Sequence, residues 1–233
     1  MRILLSSVDR YYHILPISAY LFNKYFSQDQ VVTVCGFGPI PEQYKLPPNF
    51  EFLSIGKLED YPVGKWSDAL LRAMDLIEDE TFILMLDDYL ITRPVDVHGI
   101  QMLYDYMTQF KYVLKMDICA DRLFAWGMED YETCGYFDLV RSHPGSQYHM
   151  SLMAGIWNKT NLRRVLIPNQ SPWDVELDGT RRLSAMTDML VLGTRQWPLR
   201  IHLAFRGGDS SHMNLDGLKA CDVTEMKELG LIP

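Results

Sequence analysis

The chain has 233 residues, 48% of them hydrophobic and 22% charged, with a formal net charge of −8. That length fits one large α/β domain with a sizeable core. The negative balance works against a broad footprint on nucleic acid, and no window approaches the ~20 apolar residues of a membrane helix.

The opening stretch Met1 to Asp9 is too briefly apolar for a signal peptide and reads as a first strand with its loop, so the expected location is cytoplasmic. Cys35, Cys119, Cys134 and Cys221 lie far apart with no CxxC pair, which signals neither a zinc ribbon nor a redox motif. In chain order, Ile3 to Ser6 reads as a strand and Tyr12 to Phe26 as a helix with Leu15, Ala19, Phe22 and Phe26 near one face. Val31 to Cys35 is β-branched and strand-like, Gly36 to Pro39 a turn, and Phe50 to Ile55 a third strand. Trp66, Ala69, Leu70, Ala73, Met74 and Ile77 recur at helical spacing and define an amphipathic helix. Phe82 to Leu86 is a continuous apolar run, the pattern of a strand buried on both faces. Another helical stripe, Ile100 to Phe110, precedes strand-like Tyr112 to Met116.

The second half is less regular. Residues 117–145 read as loops and short antiparallel strands, and Met150 to Trp157 as a strand. Thr160 or Asn161 is the expected cap of a short helix, and Pro168 to Gly179 is a loop or a helix start. Leu183, Met186 and Leu190 suggest a helix stopping at Gly193. Trp197 to Phe205 reads as a late strand and Asn214 to Leu229 as a closing helix. The alternation implies one α/β domain with a mostly parallel central sheet, helices on both faces and a mixed C-terminal half.

The apolar run ends in Asp87-Asp88-Tyr89. Ligands of open α/β sheets bind beyond the carboxyl ends of such strands, and paired acids there can hold a divalent cation beside a phosphate. A solvated turn or helix cap is the bland alternative. Around this point four motifs accumulate: Lys65 to Leu70, Asp87 to Tyr89, Ser151 to Trp157, and Ser171 to Glu176. Together they resemble GT-A fold glycosyltransferases of the inverting, family-two-like group, and a set of small glycosyltransferase-like proteins from phages and bacteria.

The resemblance implies a nucleotide-sugar donor, a glycan or other hydroxyl acceptor, and Mn2+ or Mg2+ as cofactor. It divides the chain into a donor half, 1–116, and an acceptor half, 117–233. Asp87 matches the first acid of the family's Asp-x-Asp and Asp88 the middle position, while Tyr89 stands where the final metal-binding acid belongs. Either Asp88 takes over the metal, or the metal is held weakly or not at all. Asp9, Asp60, Lys65 and Asp68 are the expected donor-contacting residues of the early loops, each with a cap or solvated-surface alternative.

An inverting transfer needs a carboxylate to deprotonate the acceptor. Asp174 and Glu176 are the two candidates, with Trp173 and Trp157 as sugar-binding aromatics. Ser171-Pro172 with Asp174 is equally the start of a capped helix. The resemblance also offers His202 as a third metal ligand and Arg206 as a diphosphate contact from a glycine-rich loop, while a structural His and a plain surface turn are the alternatives. A non-catalytic sugar- or nucleotide-binding protein of the same fold is the competing function, kept open by Tyr89. Gly36-Phe37-Gly38 lacks the third glycine of a dinucleotide fingerprint. Ser6 to Tyr11 lacks the glycine-rich basic loop expected of a nucleotidyltransferase.

Overall fold

The computed structural model describes residues 1–120, 122, 127–205 and 213–233. Four strands, β1 (Ile3–Ser6), β2 (Val32–Gly36), β3 (Phe50–Ser54) and β4 (Thr81–Leu86), open the chain. A 3-10 turn, Asp9–Ile14, leads into helix α1 (Leu15–Tyr25), whose Pro16 sits in the first turn where its missing N–H has no helical partner to lose. Helix α2 (Trp66–Asp75) precedes β4. Strand β5 (Tyr89–Ile91), helix α3 (Val97–Gln109) and strand β6 (Val113–Asp117) follow it. The second half adds β7 (Met128–Cys134), β8 (Phe137–Ser142), β9 (Gly155–Asn158), α4 (Lys159–Val165), α5 (Pro172–Ser184), β10 (Leu190–Thr194), β11 (Ile201–Leu203) and α6 (Ala220–Glu228).

Nine strands form one sheet in the order β3-β2-β1-β4-β9-β6-β10-β8-β7. Only β8 and β9 run against the others, so the sheet is mostly parallel as expected. The remaining pair, β5 and β11, forms a separate antiparallel ribbon. Strand alternation sends Ile83 and Met85 to one face and Phe82 and Leu84 to the other. The first face is covered by α1, α3 and α6 through Ile17, Leu21, Ile100, Leu103 and Met226. The second is covered by α2, α4 and α5 through Leu70, Leu162 and Val175.

Three second-half expectations change. Leu190 to Gly193 is strand, not helix: helix α5 ends at Ser184, and β10 lies between β6 and β8. A short apolar run fits either state by periodicity. Gly193 is there for close packing, since a Cβ would stand 2.7 Å from Arg122 Cβ. Residues 150–154 are not strand, because side chains take their backbone groups. Lys115 Nζ donates to the Ser151 carbonyl (2.8 Å), and Thr180 Oγ1 and Glu176 Oε1 accept from the Met150 and Leu152 amides (3.0 and 2.7 Å). The cap of α4 is Asn158, whose Oδ1 accepts from Asn161 N at 2.9 Å, rather than Thr160 or Asn161.

Candidate active site

Strand β1 has β2 and β3 on one side and β4 on the other, so the chain direction of the order reverses between β1 and β4. Loops leaving the two strand ends part there and open a crevice. A cavity of about 440 Å3 occupies it, lined by Ser7, Val8 and Arg10 after β1 and by Asp87, Asp88 and Tyr89 after β4. Its far wall is Leu152, Trp173 and Glu176, and its apolar rim includes Phe37, Tyr61 and Trp66.

Parallel register puts Ser6 beside Leu86, so Ser7 and Asp87 emerge side by side. The Ser7 hydroxyl donates to Asp87 Oδ2 at 2.7 Å and the Val8 amide to the same oxygen at 3.3 Å. Asp87 is 6% exposed. Burial pushes its carboxyl up to about 7, with the Ser7 bond opposing and the neighbouring Asp88 adding to the rise. Burial likewise pushes Asp88 up to about 6. Asp88 Oδ1 is buried and has no hydrogen-bond partner among the described residues. A buried, unpartnered carboxylate oxygen beside a second acid invites a cation or a ligand donor.

That donor set fits Mg2+ or Mn2+ in one specific way. Among the described residues no group of three His, Cys, Asp or Glu is placed to hold a metal ion. Two carboxylates completed by substrate phosphates and water are, however, a usual Mg2+ environment. Asp87 and Asp88 would supply the protein's share.

The opposite wall comes from the start of α5. Ser171 Oγ accepts from the Asp174 amide at 3.3 Å and the Asp174 carboxylate accepts from the Ser171 amide at 3.0 Å, a reciprocal capping box with Pro172 in the first turn. These bonds to Ser171 hold the Asp174 carboxyl below the usual carboxylate range. Asp174 is therefore engaged in the cap and does not line the cavity. Trp173 and Glu176, three residues apart, share a helix face and both line it, Trp173 being 56% exposed. Of the two candidate bases, the structure brings only Glu176 to the carboxylate pair.

Other expected site residues lie elsewhere. Trp157 does not reach a sugar: it is fully buried in β9, with Lys115 Nζ 4.9 Å over its ring. Asp68 accepts from the Asn169 amide at 2.6 Å, while Ser67 Oγ accepts from the Gln170 amide at 3.0 Å. Together they staple the start of α2 to the segment that begins α5. Asn169 sits there at φ 61°, a left-handed backbone that costs a non-glycine residue some strain. Asp9 is exposed and accepts from the Gly38 amide at 3.3 Å. Asp60 and Lys65 are exposed and outside the cavity lining.

His202 pairs with Leu90 in the β5–β11 ribbon and also lies outside that lining. Its Nε2 is buried without a partner among the described residues, and its ring fills the space a Cβ at Gly217 would need, 2.2 Å from Cγ. Arg206 falls outside the described residues. Three contributors were not singled out from the sequence: Ser7, Arg10, and the stacked Phe37 and Tyr61 rings (5.8 Å, 28°). The sequence signal for Ser7 and Arg10 is the position of Ser7-Val8-Asp9-Arg10 just beyond the first strand.

No protein-family model and no curated protein matches the chain. Among solved structures it is similar to the galactosyltransferase LgtC in complex with donor and acceptor sugar analogs, at 11% identity and a TM-score of 0.43, over 82% of this chain and 67% of that one. Against an active-site mutant of LgtC it spans 59% of that protein's length. It is also similar to CMP:2-keto-3-deoxy-manno-octonic acid synthetase complexed with CTP (12% identity, TM-score 0.47, 82% of this chain and 88% of that one). Residues 1–349 of S. aureus TarS give 12% identity and a TM-score of 0.48 over 82% of this chain and 58% of that one. All of these scores lie below 0.5 at 16% identity or less, so the chemistry of the site rests on its own geometry.

Proposed function

We propose that the chain is a glycosyltransferase that moves a sugar from a nucleotide-sugar donor to an acceptor hydroxyl with inversion. The observation that supports this most is the convergence on one crevice of a buried carboxylate pair with an unpartnered oxygen and, across it, Glu176 on a capped helix.

In this reading the donor diphosphate sits against Asp87 and Asp88, and the base lies toward Phe37 and Tyr61. The exposed Trp173 indole offers an apolar face to the sugar ring. Glu176 accepts the acceptor's hydroxyl proton as its oxygen bonds to the anomeric carbon from the side opposite the diphosphate. The bond from that carbon to the diphosphate oxygen breaks, and the electron pair leaves with the diphosphate. A divalent cation held by Asp87 and Asp88 would stabilise the negative charge developing there. The Leu152 amide bond to Glu176 fixes the carboxylate's orientation.

The test is release of nucleoside diphosphate from a panel of nucleotide-sugars with Mn2+, with candidate hydroxyl acceptors. Glu176→Gln is expected to lower the rate by about 10²- to 10⁴-fold, the usual contribution of a general base, whereas Asp174→Asn stays within a few-fold of wild type. Equal rates for wild type and Glu176→Gln would remove Glu176 from the chemistry. One observation favours a second reading, non-catalytic binding: Tyr89 occupies the third acidic position, leaving only Asp87 and Asp88 of that motif as acids at the end of β4. Binding of a nucleotide-sugar without turnover would select it.

A further inference from the structure

We propose that Arg10 is the side chain that grips the donor's diphosphate, so that phosphate recognition at this site has a component independent of any metal. The inference rests on the donor-site reading above and assigns the residue responsible for one part of the donor.

Three observations carry it. Arg10 is the one Lys or Arg among the described residues that line the cavity, whose lining also includes Asp87, Asp88 and Glu176. An anion entering a crevice with three carboxylates meets repulsion, and a positive group inside the crevice is what offsets it. Among the described residues the guanidinium is uncommitted, since none of its N–H groups donates to one of them and it pairs with none of their carboxylates. It lies over the Tyr11 ring, the guanidinium carbon 4.7 Å from the ring centroid. Five donors in a planar fork match a phosphate's oxygens two at a time, a geometry that a lysine's point charge does not reproduce.

The ring beneath the exposed Arg10 side chain is itself anchored. Tyr11 is buried and stacks on Phe205 (5.8 Å, 25°), and its amide donates to the Val8 carbonyl at 2.7 Å. Val8 and Ser7 are themselves bonded to Asp87. The turn that carries the platform under Arg10 is thus hydrogen-bonded to Asp87. An arginine laid on a fixed ring loses less freedom on gripping a ligand than one projecting into solvent.

The experiment is calorimetric titration of the full chain with matched pairs: uridine and UDP, cytidine and CDP, guanosine and GDP, adenosine and ADP, thymidine and TDP. Each pair is run in EDTA and in Mg2+, on wild type, Arg10→Ala and Arg10→Lys, with melting curves to check folding. In EDTA the preferred diphosphate is expected to bind wild type more tightly than its nucleoside. Arg10→Ala should weaken the diphosphate about tenfold to hundredfold, the worth of charge-assisted hydrogen bonds, and leave the nucleoside unchanged. Arg10→Lys should fall between, keeping the charge without the fork. Retention of the diphosphate preference in Arg10→Ala, or its loss from wild type in EDTA, overturns the inference and leaves the donor-site reading standing. Failure of wild type to bind any pair in either buffer overturns both.

Discussion

At the scale of single residues the site is defined by two carboxyls whose ionisation the fold resists. Asp87 and Asp88 lose their protons near the ordinary 3.8 when unfolded, but at about 7 and about 6 when folded. Between those limits each carboxyl keeps its proton in the folded chain and loses it in the unfolded one, so the pair's contribution to stability falls as pH rises from about 4 to about 7 and levels off above, against an opposing rise from His149, whose imidazole burial pushes down to about 4. The difference between wild type and Asp87→Asn in urea midpoint, read in EDTA, isolates the Asp87 part. Asp87→Asn, which has no charge to bury at that position, should lose less stability than wild type as pH rises, the difference growing to the order of a few kcal/mol by pH 8. Parallel pH curves for the two proteins would contradict the burial of the Asp87 charge. The adjacent acids were legible in the sequence because they end an unbroken apolar run. Arg10 was not, since its position in the crevice depends on the turn at Val8 to Tyr11 and on Phe205, nearly two hundred residues later in sequence. Choosing between Asp174 and Glu176 was within reach of helix geometry: once Ser171 caps α5, Trp173 and Glu176 share a face and Asp174 turns back to the cap.

At the scale of elements, the first half was readable because each strand and helix declares its own period. The α2 stripe from Trp66 to Ile77 and the β4 run behave as their patterns require. The second half was harder because partners, not periods, decide it. Residues 150–154 look like a strand but are pinned by Lys115, Thr180 and Glu176, and the apolar run at Leu190 becomes strand because β6 and β8 leave a place for it. Lys115 on β6 is 1% exposed and pairs with Asp117, which is fully buried and also takes Arg122 Nε at 2.8 Å. Asp117 pays for its burial with these two cations, which hold its carboxyl below the usual carboxylate range. Lys115→Met leaves the pair broken and the Ser151 carbonyl without its donor, and should cost about 3–5 kcal/mol, read as a drop in the urea midpoint. A Lys115→Met variant as stable as wild type would show that the buried pair contributes nothing net.

At the scale of the molecule, one sheet runs through both halves of the chain, with β9 from the second half inserted between β4 and β6 of the first. The crevice is therefore bordered by both halves: the carboxylates and Arg10 from the first, Glu176 and Trp173 from the second. The C-terminal helix α6 returns to α1, where buried Asp222 accepts from the Tyr25 hydroxyl (2.7 and 2.9 Å) and pairs with Lys24 at 2.9 Å. Among the described residues no helix is long and apolar enough to cross a membrane. With the carboxylate pair from the first half and Glu176 from the second lining one crevice, a ligand spanning it should stabilise the whole fold. The decisive measurement is a thermal-denaturation screen of the full chain against nucleotide-sugars with Mn2+ or Mg2+ at pH 8. At least one nucleotide-sugar, at about a hundred times its dissociation constant, should add ~2.7 kcal/mol to stability, and Asp88→Asn should reduce that gain. No shift with any nucleotide-sugar, with or without metal, would contradict a donor site at the ends of β1 and β4.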